Sequence, residues 1–238
     1  MEKPVRALLL AAGLGTRLRP LTLTKPKCLV EINGKPILEH WLDKLEAMNV
    51  DSVIINTHYL HKKVEEFLKT QKARDIKIKI INENDLLGTA GTFIASRDFF
   101  KESTGLLIHA DNYTNFNLKK LFKSHEKRPK ECVLTMLTFD STDPKNCGIV
   151  EVNSKGVMRG FYEKNATPPG NKANGAIYIF DYNFVRLVEK KWPNAKDFST
   201  EIIPNLIGEV YTFHTKDPFI DIGTPASLKK AQSMGQVS

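Results

Sequence analysis

The chain has 238 residues, which suffices for one large domain whose folding would bury roughly 70% of the surface of the unfolded chain. A hydrophobic content of 41% and a charged content of 26% are those of an ordinary soluble globular protein. No apolar run approaches the roughly 20 residues that a membrane helix needs, so we expect no membrane association.

The formal net charge is +8, which solvated lysines explain and which also suits an anionic ligand such as a nucleotide. The basic residues are scattered and no basic-aromatic strip is present, so we expect no nucleic-acid partner. The three cysteines, Cys28, Cys132 and Cys147, lack C-x-x-C spacing and predict neither a zinc site nor disulfides. The N-terminus leads into the first strand without a signal-peptide pattern, so a cytoplasmic location is expected.

The first half of the chain alternates between strand and helix patterns. Apolar runs and period-two alternation predict strands over residues 6–12, 52–57, 76–80 and 105–111. Helical periodicity predicts helices over residues 37–48, 60–70, 89–100 and 118–127. Strands separated by helices indicate βαβ units and a mostly parallel sheet.

The second half is richer in strand patterns. Strands are predicted over residues 132–139, 148–152, 157–163, 173–180 and 210–214. Helices are predicted over residues 182–191 and 200–207, and a last helix begins at Pro225. The predicted fold class is therefore α/β, with a Rossmann-like, mostly parallel mixed sheet flanked by helices and a small mixed β region in the second half. No linker or repeat divides the chain, so we expect a single domain over residues 1–238.

A glycine-rich loop that carries cations follows the first strand. Residues 10–27 read LAAGLGTRLRPLTLTKPK. Glycines allow backbone N–H groups to approach phosphate oxygens closely, and Arg17 and Lys27 would neutralise phosphate charge. A dinucleotide-binding loop does not fit, because Leu18 stands where the third glycine belongs and Pro20 and Pro26 delay any helix. The loop therefore predicts a phosphate site.

Two aspartates stand at or near strand ends, and the position of Asp111 suits a metal ion. Asp111 ends the apolar strand GLLIHAD, and Asp221 lies in FIDIGTP. A carboxylate at the carboxyl end of a strand suits Mg²⁺, although Asp111 alone could equally be a turn residue. The Gly-Thr-Pro that follows Asp221 also predicts a helix start, with Thr224 as N-cap and Pro225 as the first helical residue.

These motifs resemble those of the sugar-1-phosphate nucleotidylyltransferases, in particular the core domain of the mannose-1-phosphate guanylyltransferase type. The loop matches G-x-G-T-R-L-x-P-x-T…P-K, Asp221 matches D-x-G-T-P, and Glu163-Lys164 matches the start of Glu-Lys-Pro. The resemblance covers residues 5–230. It implies that residues 1–130 mainly bind the nucleotide and that residues 131–238 mainly bind the sugar phosphate.

The resemblance also assigns residues to roles. Arg17, Lys27, Asp111 and Asp221 would be catalytic, and the two aspartates would hold Mg²⁺. The implied nucleotide-binding residues are Leu10, Ala11, Ala12, Gly13, Gly15, Thr16, Arg17, Lys27, Glu83, Gly88 and Thr89. The implied sugar-phosphate-binding residues are Asn112, Gly148, Glu163, Lys164, Asn174 and Gly175.

Glu83 bears on the choice of base. Guanine presents two adjacent donors, N1–H and N2–H, that a carboxylate can accept together, whereas uracil and thymine present a donor between two acceptors. If Glu83 faces the base, guanine is favoured by about 1–3 kcal/mol. The alternative is that Glu83 points into solvent.

The implied reaction joins an NTP and a sugar 1-phosphate to give an NDP-sugar and pyrophosphate, with GTP and mannose or heptose 1-phosphate as the favoured pair. Three alternatives stay open: a uridylyl- or cytidylyltransferase for another sugar, an enzyme for another alcohol phosphate, and a catalytically silent regulatory homologue that binds NDP-sugar. A homodimer is compatible with the sequence. We expect no allosteric control from a left-handed β-helix, because the chain stops soon after its last core helix.

Overall fold

The computed structural model describes residues 3–71 and 73–234, which form thirteen β-strands and six α-helices. The strands are β1 (Val5–Leu10), β2 (Glu31–Ile32), β3 (Lys35–Pro36), β4 (Ser52–Thr57), β5 (Lys77–Asn82), β6 (Thr104–His109), β7 (Asn112–Thr114), β8 (Leu134–Asp140), β9 (Gly148–Val152), β10 (Met158–Glu163), β11 (Lys172–Asp181), β12 (Val210–Thr215) and β13 (Phe219–Asp221). The helices are α1 (Ile37–Glu46), α2 (His61–Thr70), α3 (Gly88–Ala95), α4 (Leu118–Glu126), α5 (Tyr182–Lys191) and α6 (Pro225–Ser233).

The predicted fold class is confirmed: helices flank a mostly parallel mixed sheet. The backbone contacts divide the chain into two units, each built from several segments. Unit A comprises Ala7–Leu86, Ile108–Asn115 and residues 218–234, and unit B comprises residues 3–6, Leu87–Leu107 and Phe116–Asp217. The expectation of one domain with halves at 1–130 and 131–238 stays a prediction.

Unit A contains the strand order β1-β4-β5, in which β4 and β5 are parallel. Ala7, Leu8 and Leu9 of β1 are buried. Helix α1 buries the stripe that its periodicity predicted, namely Ile37, Leu38, Trp41, Leu42 and Leu45. Two small antiparallel pairs complete the unit, β2 with β3 and β7 with β13. This arrangement places the ends of β1, β4 and β5 beside one another.

Unit B has β11 at its centre, paired with β8 and β9 in antiparallel fashion. Strand β12 pairs with β8 in parallel, and β10 pairs with β9 in antiparallel fashion. Its core contains a cluster of aromatic rings with edge-to-face and tilted contacts, formed by Phe93, Phe100, Phe180, Phe184 and Phe198. Gly105 is required beside this cluster, because a Cβ at that position would lie 2.1 Å from the ring of Phe180.

One predicted helix is wrong. Residues 200–207 do not form an α-helix; the chain instead makes a π-helical turn over Phe198–Ile202 and a 3-10 turn over Ile203–Leu206. Pro204 lies at the start of the second turn, where its missing N–H and its ring prevent an α-helix from continuing. The helix predicted over 89–100 likewise ends at Ala95 and is followed by a 3-10 turn.

The helix predicted from Pro225 is confirmed together with its cap. Thr224 accepts from the backbone N–H of Ser227, and the Ser227 hydroxyl lies 3.0 Å from the Thr224 backbone nitrogen, which completes a capping box. Within residues 3–71 and 73–234, no helix combines the length and apolar character needed to span a membrane.

Candidate active site

The glycine-rich loop after β1 holds two cations in short 3-10 turns. Gly15 has φ +63°, and a Cβ there would lie 2.8 Å from the Thr22 methyl group, so this turn requires glycine. The Thr22 hydroxyl donates to the Gly15 carbonyl at 2.7 Å and thereby closes the loop. Arg17 lies in the turn Thr16–Leu18, and Lys27 lies in the turn Lys27–Leu29. The loop is therefore a fixed structure that presents both cations.

Gly13 differs from Gly15. No described atom lies within 4 Å of a Cβ built at Gly13, and the residue is exposed. The packing of the described residues therefore does not require glycine at this position. An open backbone at the tip of the loop is what a closely approaching phosphate would need.

The antiparallel pair of β7 and β13 brings the two aspartates together. Its register sets Asp221 opposite Asn112, and the backbone N–H of Ile222 donates to the Asp111 carbonyl at 3.0 Å. The Trp41 indole N–H donates to the Asn112 carbonyl at 2.9 Å and anchors this pair against α1. Carboxylates from two distant parts of the sequence thus become neighbours within unit A.

Lys27 lies between these carboxylates. Its ammonium Nζ is 2.5 Å from Asp111 Oδ2 and 3.3 Å from Asp221 Oδ1, and its side chain is only 9% exposed. Burial alone lowers the pKa of Lys27, but the charges of Asp111 and Asp221 outweigh burial and raise that pKa above its ordinary value. Burial likewise raises the pKa of Asp111, and the charge of Lys27 reverses the effect and lowers it. Lys27 and Asp111 are therefore both charged at neutral pH.

Arg17 completes the charged cluster. Its Nη2 lies 3.9 Å from Asp221 Oδ2, and 67% of its side chain is exposed. Gly223 makes room for it, because a Cβ at Gly223 would lie 2.6 Å from Arg17 Nη2 and 3.0 Å from Asp221 Oδ1. The guanidinium is thus held beside the carboxylate and also faces solvent, where a ligand can reach it.

The donor set fits Mg²⁺ better than a metal that prefers nitrogen or sulfur ligands. Two carboxylates converge here, and the described residues contain no group of three or more His, Cys, Asp or Glu side chains that could hold a metal. Mg²⁺ takes few protein ligands and fills its remaining positions with water and substrate phosphates. Asp111 and Asp221 are the residues that would hold it.

Glu83 is buried, so the alternative in which it points into solvent is wrong. It directly follows β5, its residue exposure is 5%, and its Oε1 accepts from Asn56 Nδ2 at 2.9 Å. His58 Nδ1 donates to the Glu83 carbonyl at 2.8 Å, which fixes the backbone as well. Asn56 is not among the residues predicted from the sequence, although it is a polar residue near the end of an apolar strand, the same pattern that pointed to Asp111.

The remaining loop residues lie where β1 ends. Leu10 is the last residue of β1, Ala12 is buried, and Thr16 is exposed. The Ala11 N–H donates to Asn56 Oδ1 at 2.7 Å and so has a protein partner.

Gly88 and Thr89 belong to unit B. Gly88 has φ +78°, and a Cβ there would lie 2.3 Å from the Lys196 carbonyl oxygen, so only glycine fits. The Thr89 hydroxyl accepts from the Phe198 N–H at 2.8 Å. The start of α3 is therefore fixed by contacts within its own unit.

Within unit B, Gly148 and Glu163 lie together. A Cβ at Gly148 would be 2.6 Å from Glu163 Oε2, so the glycine leaves room for this carboxylate. Burial raises the pKa of Glu163, and the charge of Lys164 opposes that shift only in part. Lys164 is exposed, and its backbone N–H donates to the Cys147 carbonyl at 3.1 Å.

The side chain of Asn174 makes local contacts. It accepts from the Ala176 N–H at 2.9 Å and donates to the Tyr178 hydroxyl at 2.6 Å, at a register shift in β11. Gly175, inside this shift, is buried. Of the residues assigned to the sugar phosphate, Asn112 alone lies in unit A. Tyr178 is not among the residues predicted from the sequence.

The α/β fold and the cluster of two cations and two carboxylates form an arrangement suited to a phosphate-bearing ligand. The chain belongs to the nucleotidyl transferase family, whose model matches residues 6–236.

Similar curated proteins include the mannose-1-phosphate guanylyltransferase catalytic subunit beta of Danio rerio, 31% identical over 236 residues, and mannose-1-phosphate guanylyltransferase 1 of Arabidopsis thaliana, 30% identical over 228 residues. The alignments cover 97% and 93% of this chain, but only 64% and 62% of those relatives. The chain thus spans less than two thirds of their length.

Solved structures of similar fold cover nearly the whole chain. A putative glucose-1-phosphate thymidylyltransferase from Bacillus anthracis, in complex with sucrose, has a TM-score of 0.87 at 20% identity and matches 98% of this chain and 96% of its own. HddC from Yersinia pseudotuberculosis, complexed with GMP-PN, has a TM-score of 0.80 at 26% identity and matches 97% of this chain and 99% of its own.

Proposed function

We propose that the protein transfers a nucleotidyl group from an NTP to a sugar 1-phosphate, giving an NDP-sugar and pyrophosphate. The observation that carries this proposal is the convergence of Arg17, Lys27, Asp111 and Asp221 at the loop after β1. Membership of the nucleotidyl transferase family and the names of the similar proteins support it.

The chemistry requires positioning and charge rather than a strong base. The phosphate oxygen of the sugar phosphate is already ionised and attacks the α-phosphorus in line with the departing pyrophosphate. The buried ammonium of Lys27 would stabilise the charge that develops on the transferred phosphoryl group. The exposed guanidinium of Arg17 can reach the departing pyrophosphate and stabilise it.

Asp111 and Asp221 would hold Mg²⁺ in this proposal. When bound, the ion neutralises phosphate charge and helps to align the triphosphate. The two carboxylates need no proton-transfer role, because the nucleophile arrives deprotonated. Their task is to fix the position of the charges within unit A.

In unit B, Glu163 and Lys164 are proposed to bind the sugar phosphate. Glu163 would accept hydrogen bonds from sugar hydroxyl groups, and the exposed ammonium of Lys164 would contact the phosphate. Asn174 would act through the local shape of β11, since its side chain already bonds to Ala176 and Tyr178.

We propose GTP as the nucleotide and mannose 1-phosphate or a heptose 1-phosphate as the sugar substrate. Two findings support guanine: the buried carboxylate of Glu83, and the complex of the similar HddC with GMP-PN. The names of the curated relatives support mannose. A homodimer and a cytoplasmic location stay predictions.

A pyrophosphate-release screen of four NTPs against a panel of sugar 1-phosphates tests the proposal. We expect the highest rate with GTP and mannose 1-phosphate or a heptose 1-phosphate. Lys27→Ala should lose activity, whereas Lys25→Ala, a change of an exposed lysine that pairs with Glu31, should keep it. Binding of an NDP-sugar without turnover of any pair would instead indicate a silent regulatory protein.

A further inference from the structure

Asn56 connects the loop after β1 to the carboxylate after β5. It lies near the end of β4, the strand between β1 and β5, and its exposure is 3%. The Ala11 N–H donates to its Oδ1 at 2.7 Å, and its Nδ2 donates to Glu83 Oε1 at 2.9 Å. One buried amide thus joins three adjacent strand ends within unit A.

The orientation of this amide is determined by its partners. A backbone N–H can only donate, so the atom of Asn56 that faces Ala11 must be the carbonyl oxygen. The amide nitrogen of Asn56 then necessarily faces residue 83, where only an acceptor satisfies it. An ionised carboxylate offers an acceptor there and keeps acceptor capacity on both of its oxygens.

We propose that Asn56 is a positioning residue that contributes to the base specificity of the enzyme by holding the side chain of residue 83 in one orientation. This inference rests on the proposed function and on the proposed contact between Glu83 and the base. By donating to Oε1, Asn56 holds the carboxylate in one orientation, in which its oxygens can accept from the two adjacent donors of guanine.

The hydrogen bonds of Asn56 to Ala11 and to residue 83 also determine how a glutamine at position 83 would be oriented. Its Oε1 would have to face Asn56 Nδ2, so its Nε2 would become the group available to the base. A donor beside an acceptor matches the edge of uracil or thymine, whereas it does not match the two adjacent donors of guanine, N1–H and N2–H. Glu83→Gln should therefore lower the ratio of kcat/KM for GTP to that for UTP by roughly 10- to 100-fold.

If residue 56 instead accepts a hydrogen bond from residue 83, the glutamine should turn over and the GTP-to-UTP ratio should recover. In the double variant N56D/E83Q, the carboxylate introduced at position 56 still accepts from the Ala11 N–H, and its second oxygen accepts from the glutamine Nε2. The glutamine carbonyl is then the group left for the base. We expect the GTP-to-UTP ratio of N56D/E83Q to rise at least about 10-fold above that of E83Q.

The single variant Asn56→Asp provides a pH readout. Two carboxylates would then face each other and share a proton, so one of their pKa values would be raised. We expect kcat/KM for GTP to be lower than in the wild type at pH 8 and to recover as the pH falls. A loss of packing alone would not produce such a recovery.

All four proteins, the wild type and three near-isosteric variants, are assayed for pyrophosphate release with GTP and with UTP, and their thermal unfolding is compared. Asn205→Asp, at an exposed asparagine, is the matched control and should keep the wild-type ratio. If N56D/E83Q unfolds, N56S/E83Q replaces it; it removes the amide, and its ratio should again exceed that of E83Q.

Equal ratios in E83Q and in the double variant would overturn the role of Asn56. A wild-type protein without activity on any NTP would overturn the proposed function itself. A wild type that prefers GTP and an E83Q variant with an unchanged ratio would show that neither Glu83 nor Asn56 determines the base.

Discussion

Glycine at position 223 leaves space that a charged side chain occupies. A Cβ there would lie 2.6 Å from Arg17 Nη2, so the variant Gly223→Ala must displace the guanidinium or the backbone. A displaced charge-assisted donor forfeits about 1.5–3 kcal/mol, so we expect kcat/KM to fall roughly 10- to 100-fold. Steady-state pyrophosphate release measures the effect.

The partner variant Arg17→Ala makes this prediction specific. If both changes act through the guanidinium, the double variant should be no worse than Arg17→Ala alone. Gly170→Ala is the matched control, because no described atom lies within 4 Å of a Cβ at that exposed glycine. Additive losses would mean that Gly223 acts through something other than Arg17.

Gly148 has the corresponding relation to Glu163. The variant Gly148→Ala would place a Cβ 2.6 Å from both Glu163 Oε2 and Phe161 Cζ, and it should push the carboxylate out of position. We expect the KM for the sugar 1-phosphate to rise about 10-fold or more, with the KM for GTP unchanged. Glu163→Gln should change the same parameter. A rise in the KM for GTP instead would contradict the assignment of Glu163 to the sugar.

At the scale of single residues, motifs identified the cations and carboxylates but not the residues that position them. Arg17, Lys27, Asp111 and Asp221 stand in recognisable patterns, and the structure brings all four together. Asn56 also lies near the end of an apolar strand, but its role depends on which strands neighbour β4. Strand order is a property of the folded sheet rather than of any local segment.

At the scale of elements, the bounds of a helix or strand could be predicted from the sequence where its own hydrophobic periodicity determines them. Strands β4 and β9 and helix α5 have the predicted bounds, because apolar runs or helical stripes mark them clearly. The helix predicted over residues 200–207 was wrong because Pro204 imposes a 3-10 turn on a segment whose apolar spacing suggested a helix. The missing N–H and the ring of Pro204 thus decided the local structure, and the apolar periodicity did not.

The packing of α4 against β8 contains a buried histidine that should make stability depend on pH. His125 Nδ1 lies 2.7 Å from the Thr135 hydroxyl, and burial, assisted by the charge of Arg128, lowers the pKa of His125 to about 4. The ordinary value is 6.5, so the folded state favours neutral imidazole. This contribution is complete above pH 6.5 and is lost as the pH falls from 6.5 towards 4.

Between pH 7.5 and pH 5 the free energy of unfolding should therefore fall by about 2 kcal/mol through His125 alone. Urea unfolding at both pH values measures this loss. His125→Gln keeps a partner for Thr135 but cannot titrate, so its loss over the same range should be smaller by that amount. Equal losses in the wild type and the variant would exclude His125 as the cause.

At the scale of the whole chain, the proposed metal ligands depend on a pairing between distant segments. Asp111 precedes β7 and Asp221 ends β13, and only the antiparallel register of these two short strands makes the carboxylates neighbours. Each strand has three residues, too few for an alternating pattern to reveal the pair. The motifs suggested that both aspartates serve one ion, and the pairing of β7 with β13 brings the two carboxylates close enough to do so.

If Asp111 and Asp221 hold the same Mg²⁺, their loss should not be additive. We expect Asp111→Asn and Asp221→Asn each to lower kcat roughly 100-fold or more and to raise the Mg²⁺ concentration that gives half-maximal rate. The double variant should be little worse than either single variant, because the shared ion is already lost. Asp98→Asn, at an exposed carboxylate paired with Lys101, is the matched control and should behave as the wild type. Pyrophosphate release over a Mg²⁺ titration, with chelation by EDTA as the zero point, distinguishes the outcomes. Full activity in either single variant, or a rate that EDTA leaves unchanged, would show that these carboxylates serve the charge balance of Lys27 rather than a metal ion.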